Sequence, residues 1–173
     1  MKDFKIISER LLLKIISISY LDDIFKEFTP EVARFLIPQP SNDISDTLNF
    51  IIESRENSLN GKELQLVIIS KDSKEFLGCI GIHDMNTKNP SFGLWIKEGA
   101  WNNGYGKEAM VVLKKWADSN MDYEVARYSS SKENLASLKI VEFLGGKIIS
   151  KGVKKNFNGE PLNSINYTIS KNT

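Results

Sequence analysis

Trp101-Asn102-Asn103-Gly104-Tyr105-Gly106 lies at the junction of two unlike patterns. Before it, Ser91 to Lys97 reads as a strand. After it, Ala109, Met110, Leu113, Trp116 and Ala117 make an apolar stripe at helical spacing that runs to about Ser119. A glycine-bearing helix start presents backbone N–H groups without partners inside the helix, together with the positive end of the helix dipole. Gly104 and Gly106 carry no Cβ, so the backbone can approach a pyrophosphate closely, and Lys107 adds a cation nearby. Two glycines at this spacing also serve any strand-to-helix turn that needs their dihedrals, so the turn alone does not decide the chemistry.

Outward from the turn, the pattern is that of an α/β chain. Upstream, Glu63 to Ser70, Lys74 to His83 and Ser91 to Lys97 form a strand meander with turns short enough for antiparallel pairing. Downstream, a strand at Tyr123 to Ser129 follows the helix. A strand, a helix of this length and a further strand close as a right-handed crossover, which sets the two strands parallel. The helix Glu133 to Leu144 ends at the cap signal Gly145-Gly146, and strands at Lys147 to Lys154 and Ile165 to Ser170 flank the turn Asn158-Gly159. At the start of the chain, Phe4 to Ile16 reads as an edge or hairpin strand. Helical patterns follow at Tyr20 to Phe28 and at Ser45 to Ser58, where Leu48, Ile51 and Ile52 share a face.

Composition narrows the class. The 173 residues, 41% apolar and 26% charged, suit one globular domain spanning 1–173. With 23 basic against 22 acidic residues, scattered along the chain, no overall field favours nucleic acid. One cysteine, Cys79, and one histidine, His83, argue against a disulfide framework and against a zinc site, so no metal is expected. No signal-peptide pattern opens the chain and no apolar run approaches the roughly 20 residues that span a bilayer; a cytoplasmic setting without membrane contact is the expectation. An exposed edge strand can pair with its symmetry mate, so a homodimer is compatible with the pattern.

The turn lacks the third glycine and downstream acid of a dinucleotide fingerprint, and it lacks the G-K-[ST] of a P-loop. It resembles the acetyl-CoA motif of the GNAT N-acetyltransferase superfamily, Q/R-x-x-G-x-G/A, in the variant with Trp in first place. Four further segments resemble the branch that contains ribosomal-protein N-terminal acetyltransferases. They are Glu9-Arg10-Leu11-Leu12-Leu13, Leu77-Gly78-Cys79-Ile80-Gly81-Ile82, Gly93-Leu94-Trp95-Ile96, and Asn134-x-x-Ser137 with Glu142-x-x-Gly145. Five segments in the same order are far more specific than one. Gly146 departs from the pattern, standing where the family usually has an aromatic residue.

The resemblance implies a mixed, mostly antiparallel sheet flanked by helices, with a splayed parallel strand pair at its centre. It implies acetyl-CoA as co-substrate, its pyrophosphate on Asn102, Asn103, Gly104, Tyr105, Gly106 and Lys107. The pantetheine arm would lie in the gap between the splayed strands, held by backbone groups of Trp95 and Ile96 and contacted by Asn134. The acceptor would be a primary amine, on a peptide N-terminus or a small molecule, attacking the thioester directly. Asn134 and Ser137 lie three apart and share a helix face, which the resemblance sets beside the thioester, so Ser137 is the candidate proton donor to the leaving thiolate. His83, at a strand end, is the candidate base. Cys79 alternates with apolar neighbours and reads as core, and Glu142 as a solvated or capping charge. The loops Phe35 to Asp46 and Asn156 to Asn163 would line the acceptor side. The rival reading is a silent acyl-CoA-binding or regulatory module that keeps the turn without the chemistry.

Overall fold

In the computed structural model, which describes residues 4–172, the first apolar stretch is two strands. β1 (Lys5–Ile7) and β2 (Leu11–Ile15) pair antiparallel about a tight corner at residues 8–10. The Ser8 hydroxyl accepts the Leu11 N–H at 3.0 Å there and stabilises the reversal. After a 3-10 turn come α1 (Leu21–Glu27), the single-turn α2 (Pro30–Ala33) and α3 (Ile44–Leu59). The short α2 escapes any periodicity argument; Thr29 caps it through the Val32 N–H, and Pro30 sits at its tolerated first turn.

β3 (Leu64–Ser70), β4 (Phe76–His83) and β5 (Ser91–Ile96) form the expected antiparallel meander. Leu66 and Val67 are adjacent and both fully buried, so β3 is covered on both faces and its sequence cannot alternate. Each such side chain contributes about 1.5–3 kcal/mol when fully buried. α4 (Tyr105–Asn120) carries the chain over to β6 (Val125–Ser131), parallel to β5, as the crossover predicts. α5 (Leu135–Phe143), β7 (Lys147–Lys155) and β8 (Pro161–Ser170) complete an eight-stranded sheet in the order β1-β2-β3-β4-β5-β6-β8-β7. β8 starts four residues before the expected Ile165, because Gly159, at φ 82°, reverses the chain tightly enough for Pro161 to face Lys155.

The sheet separates two apolar clusters. Leu66, Ile80, Met110, Leu113, Tyr128 and Ile169 pack beneath α4 and α5, while Ile16, Ile24, Ile51, Val67 and Cys79 pack beneath α1 and α3. Cys79 is core, as read, and burial pushes its thiol far above the ordinary range. Gly146 has a structural explanation. α5 ends in a Schellman arrangement, with Gly145 at φ 74° and the Gly146 N–H bonded to Val141 O at 2.9 Å. A Cβ on Gly146 would stand 2.5 Å from Val141 Cγ2, so the aromatic expected at this position has no room.

Candidate active site

β5 and β6 pair at only two rungs, Ser91 with Arg127 and Phe92 with Tyr128. β5 then follows β4 out to Ile96, while β6 follows β8 out to Ser131. Each strand of the parallel pair is tied to its own antiparallel neighbour, and sheet twist carries the two apart from Gly93 onward. β5 pairs with β4 without a register shift, so the splay does not come from a bulge in β5.

Trp95 faces Cys79 in the ladder and its carbonyl turns toward β4; a Cβ on Gly78 would lie 2.1 Å from that oxygen. Since backbone groups alternate sides along a strand, Leu94 and Ile96, not Trp95, present theirs to the gap. The indole of Trp95 packs instead against Phe28 and Phe76, with ring centroids 5.1 and 5.8 Å away. The carbonyl of Ile96 accepts the Trp101 indole N–H at 2.7 Å, which anchors the start of the turn.

The turn is built from two left-handed residues, Asn102 (φ 62°) and Gly104 (φ 77°). Asparagine tolerates that region and glycine favours it. The Asn103 side chain donates to the carbonyls of Trp101 and Ala100, bracing the loop from within. α2, α3 and α5 each begin with a capping side chain, Thr29, Asp43 and Asn134, whereas Gly104 gives α4 none. The first N–H groups of α4 therefore remain available to an external acceptor. Gly106 meets a packing demand: a Cβ there would lie 3.2 Å from Leu94 Cδ1 and 3.4 Å from Ile140 Cδ1, against β5 and α5. Tyr105 lies under the Arg10 guanidinium, 4.7 Å from its ring centroid. The ammonium of Lys107 sits 3.4 Å from the ring centroid of Phe143 on α5, so this cation is directed at an aromatic face.

α5 packs on β6, on the same sheet face as α4. Asn134 caps it, accepting the Ser137 N–H at 3.1 Å, and Ser137 Oγ stands 2.8 Å from the Tyr128 hydroxyl. Tyr128 is 4% exposed, and burial pushes its phenol up, only partly opposed by the bond to Ser137. His83 ends β4 opposite Ser91, on the sheet face of Cys79 and Trp95. Its Nδ1 lies 3.1 Å from Glu63 Oε2, and Glu63 is largely buried. Ser137 and His83 are thus not brought together; they lie on opposite faces of the sheet, and His83 stands at the Ser91 end of β5, where β5 and β6 are still paired. The two loops expected to line the acceptor side do meet, the Phe157 N–H donating to Ile37 O at 2.9 Å.

Tyr128, Glu63 and Arg10 were not singled out from the sequence. Tyr128 sits in an ordinary alternating strand, and Glu63 precedes one; only folding sets their polar atoms beside Ser137 and His83. Arg10 lies within Glu9-Arg10-Leu11-Leu12-Leu13, and the resemblance of that segment is its one signal in the sequence.

A mixed sheet with a parallel pair opening beside an uncapped helix start defines a scaffold that can hold an extended, phosphate-bearing donor. The profile described as Acetyltransferase (GNAT) domain matches residues 10–147, and the chain belongs to that family. It is 24% identical over 140 residues to an uncharacterized N-acetyltransferase, p20, of Bacillus licheniformis, covering 79% of each chain. Among solved structures it is similar to a microcin C7 self-immunity acetyltransferase determined with acetyl-CoA and AMP. The TM-score is 0.81 at 20% identity, over 94% of this chain and 93% of that one. The Salmonella typhimurium acetyltransferase that modifies the N-terminal serine of a 50S ribosomal subunit protein superposes with a TM-score of 0.81 at 14% identity. That match covers 95% of this chain and 97% of the other. At such identities the likeness establishes the fold. No helix among the described residues is long and apolar enough to cross a membrane.

Proposed function

We propose that the protein transfers an acetyl group from acetyl-CoA to a primary amine by direct attack within a ternary complex. The observation that supports this best is the adjacency of two features: the α4 start, with αL Gly104 and no capping side chain, and the lapse of β5–β6 pairing after Phe92. The first suits a pyrophosphate and the second an extended amide-bearing arm. The residues present suit the donor: Gly106 lets α4 lie close against Leu94 and Ile140, where a Cβ would stand 3.2 and 3.4 Å from their Cδ1 atoms and push them aside. When bound, acetyl-CoA supplies an activated acyl group with a thiolate leaving group.

This chain's residues would act as follows. N–H groups of Tyr105, Gly106 and Lys107 bind phosphate oxygens. Backbone groups of Leu94 and Ile96 orient the arm, and one of their N–H groups bonds the thioester oxygen as negative charge develops on it. Asn134, its Oδ1 held by the α5 cap, offers its amide N–H atoms to the arm. Ser137 gives a proton to the departing sulfur. His83 takes a proton from the amine, directly or through water, on the opposite face. Its Nδ1–H donates to Glu63, which leaves Nε2 as the free base.

The test is a panel of small amines and peptides offered with acetyl-CoA, with thiol release as readout. Turnover with any acceptor supports the proposal and begins to define the substrate. Coenzyme A binding without turnover across the panel would indicate a silent acyl-CoA-binding module, and absence of binding would make the glycines merely structural.

A further inference from the structure

Besides the bond from the Trp101 indole to Ile96 O on β5, the turn is held, among the hydrogen bonds of the described residues, from the first hairpin. Arg10, at the corner between β1 and β2, donates from Nη1 to Asn103 O at 3.0 Å and from Nε to Glu108 Oε2 at 2.7 Å. The Arg10 backbone N–H reaches Glu108 Oε1 at 2.8 Å, and the Ser8 hydroxyl reaches the same oxygen at 2.6 Å. Arg10 Nη2 comes within 3.6 Å of the place a Cβ would take on Gly104. A guanidinium thus spans the outer side of the turn, one arm on its backbone and one on the first turn of α4. Lys107, the cation closest in sequence, is occupied over Phe143.

We infer that Arg10 and Glu108 form a clamp that holds the turn in its anion-binding shape, with Arg10 the positioning residue for the diphosphate end of the donor. This rests on the reading that the turn binds pyrophosphate. The physical case has two parts. The planar fork fixes Asn103 and Glu108 together, and so sets the angle at which the chain enters α4; a lysine, with one point of charge, cannot do both. The charges must also balance. Glu108 is a carboxylate in the first helical turn, close to where a diphosphate would sit, and Arg10 neutralises it. Without Arg10, that carboxylate would repel the ligand that the helix start attracts.

The experiment is calorimetric titration with two probes, coenzyme A and pantetheine, which share the thiol arm while only the former carries diphosphate and nucleotide. Wild type should bind coenzyme A far more tightly. R10M should lose about tenfold in coenzyme A affinity, the size of one charge-assisted contact, and keep its pantetheine affinity. R10M/E108Q should recover part of that loss, because the uncompensated carboxylate is gone. Equal losses for both probes would reduce Arg10 to a general brace of the fold, and an unchanged coenzyme A affinity would give it no role; either overturns the clamp. Should wild type bind both probes equally, the pyrophosphate reading itself fails, and the clamp with it. If R10M does not fold, R10K carries the same comparison, with a smaller selective loss of coenzyme A expected and the same overturning outcomes.

Discussion

The hydroxyls of Tyr128 on β6 and Ser137 on α5 lie 2.8 Å apart, the tyrosine buried and the serine at the edge of the strand gap. A buried phenol whose pKa is pushed up by its surroundings stays protonated and so carries a proton it can donate. If it donates to Ser137 Oγ, the serine proton is left free to point toward a leaving sulfur. Ser137→Ala is expected to lower kcat by about 10²-fold, within the usual range for loss of a general acid, with little change in KM for acetyl-CoA. Tyr128→Phe should lower kcat by a smaller factor and stability by about 1 kcal/mol. Steady-state kinetics and urea unfolding of both variants check this; unchanged turnover in Ser137→Ala would remove the serine from the mechanism.

His83 and Glu63 form the second pair. His83→Gln should reduce kcat about 10²-fold, and Glu63→Gln by less, since the carboxylate only fixes the tautomer and orientation of the ring. Coenzyme A affinity should stay constant in both, because neither lies on the α4 side of the sheet. Full activity in His83→Gln would mean that another group or water removes the proton.

Gly104, at φ 77°, is expected to tolerate alanine poorly. Gly104→Ala should cost about 1 kcal/mol from the left-handed backbone alone and weaken coenzyme A binding as the turn shifts. Gly106→Val should have the larger effect on binding, since its side chain must displace Leu94 and Ile140. Calorimetry ranks the two; a Gly106→Val protein with wild-type affinity would contradict the close approach of α4.

Gly78 tests the sheet independently of any chemistry. A Cβ 2.1 Å from the Trp95 carbonyl oxygen forces backbone apart, so Gly78→Ala is expected to destabilise by at least about 2–3 kcal/mol. The measurement is the urea midpoint, and a loss below half a kcal/mol would show that β4 and β5 are not registered as described.

Glu108 links the turn to pH. Its partial burial works to raise the carboxyl pKa, but hydrogen bonds from Ser8 and Arg10, with the guanidinium charge, hold it below its ordinary value of 4.5. A depressed carboxyl contributes stability that is present above 4.5 and fades as pH falls through the folded value. Glu108→Gln lacks this contribution. The stability gap between wild type and variant should therefore narrow as pH is lowered from neutral to well below 4.5. A gap constant over that range would show that the carboxylate has no net favourable partners.

Much of the architecture could be read directly from residue order. The meander, the crossover at Tyr105 to Asn120, the glycine cap at Gly145 and the turn at Gly104 all rest on local signals, where dihedral preference and apolar spacing act within a few residues. The family followed from five short segments in order. What the chain alone could not disclose depends on residues far apart in sequence. Trp95 and Leu94 are indistinguishable as strand residues; only the register with Cys79 turns Trp95's backbone to β4 and leaves Leu94 facing the gap. The pairing of β5 with β6 stops at Phe92 because each strand follows a different neighbour, which no property of either strand encodes. Arg10 reaches Glu108 across 98 positions, Glu63 reaches His83 across 20, and Tyr128 meets Ser137 from beneath a helix. Local sequence determined most of the elements and the left-handed residues of the Trp101–Gly106 turn. Tertiary packing alone decided which polar groups meet, because long-range contacts form only when separate elements bury their apolar faces together.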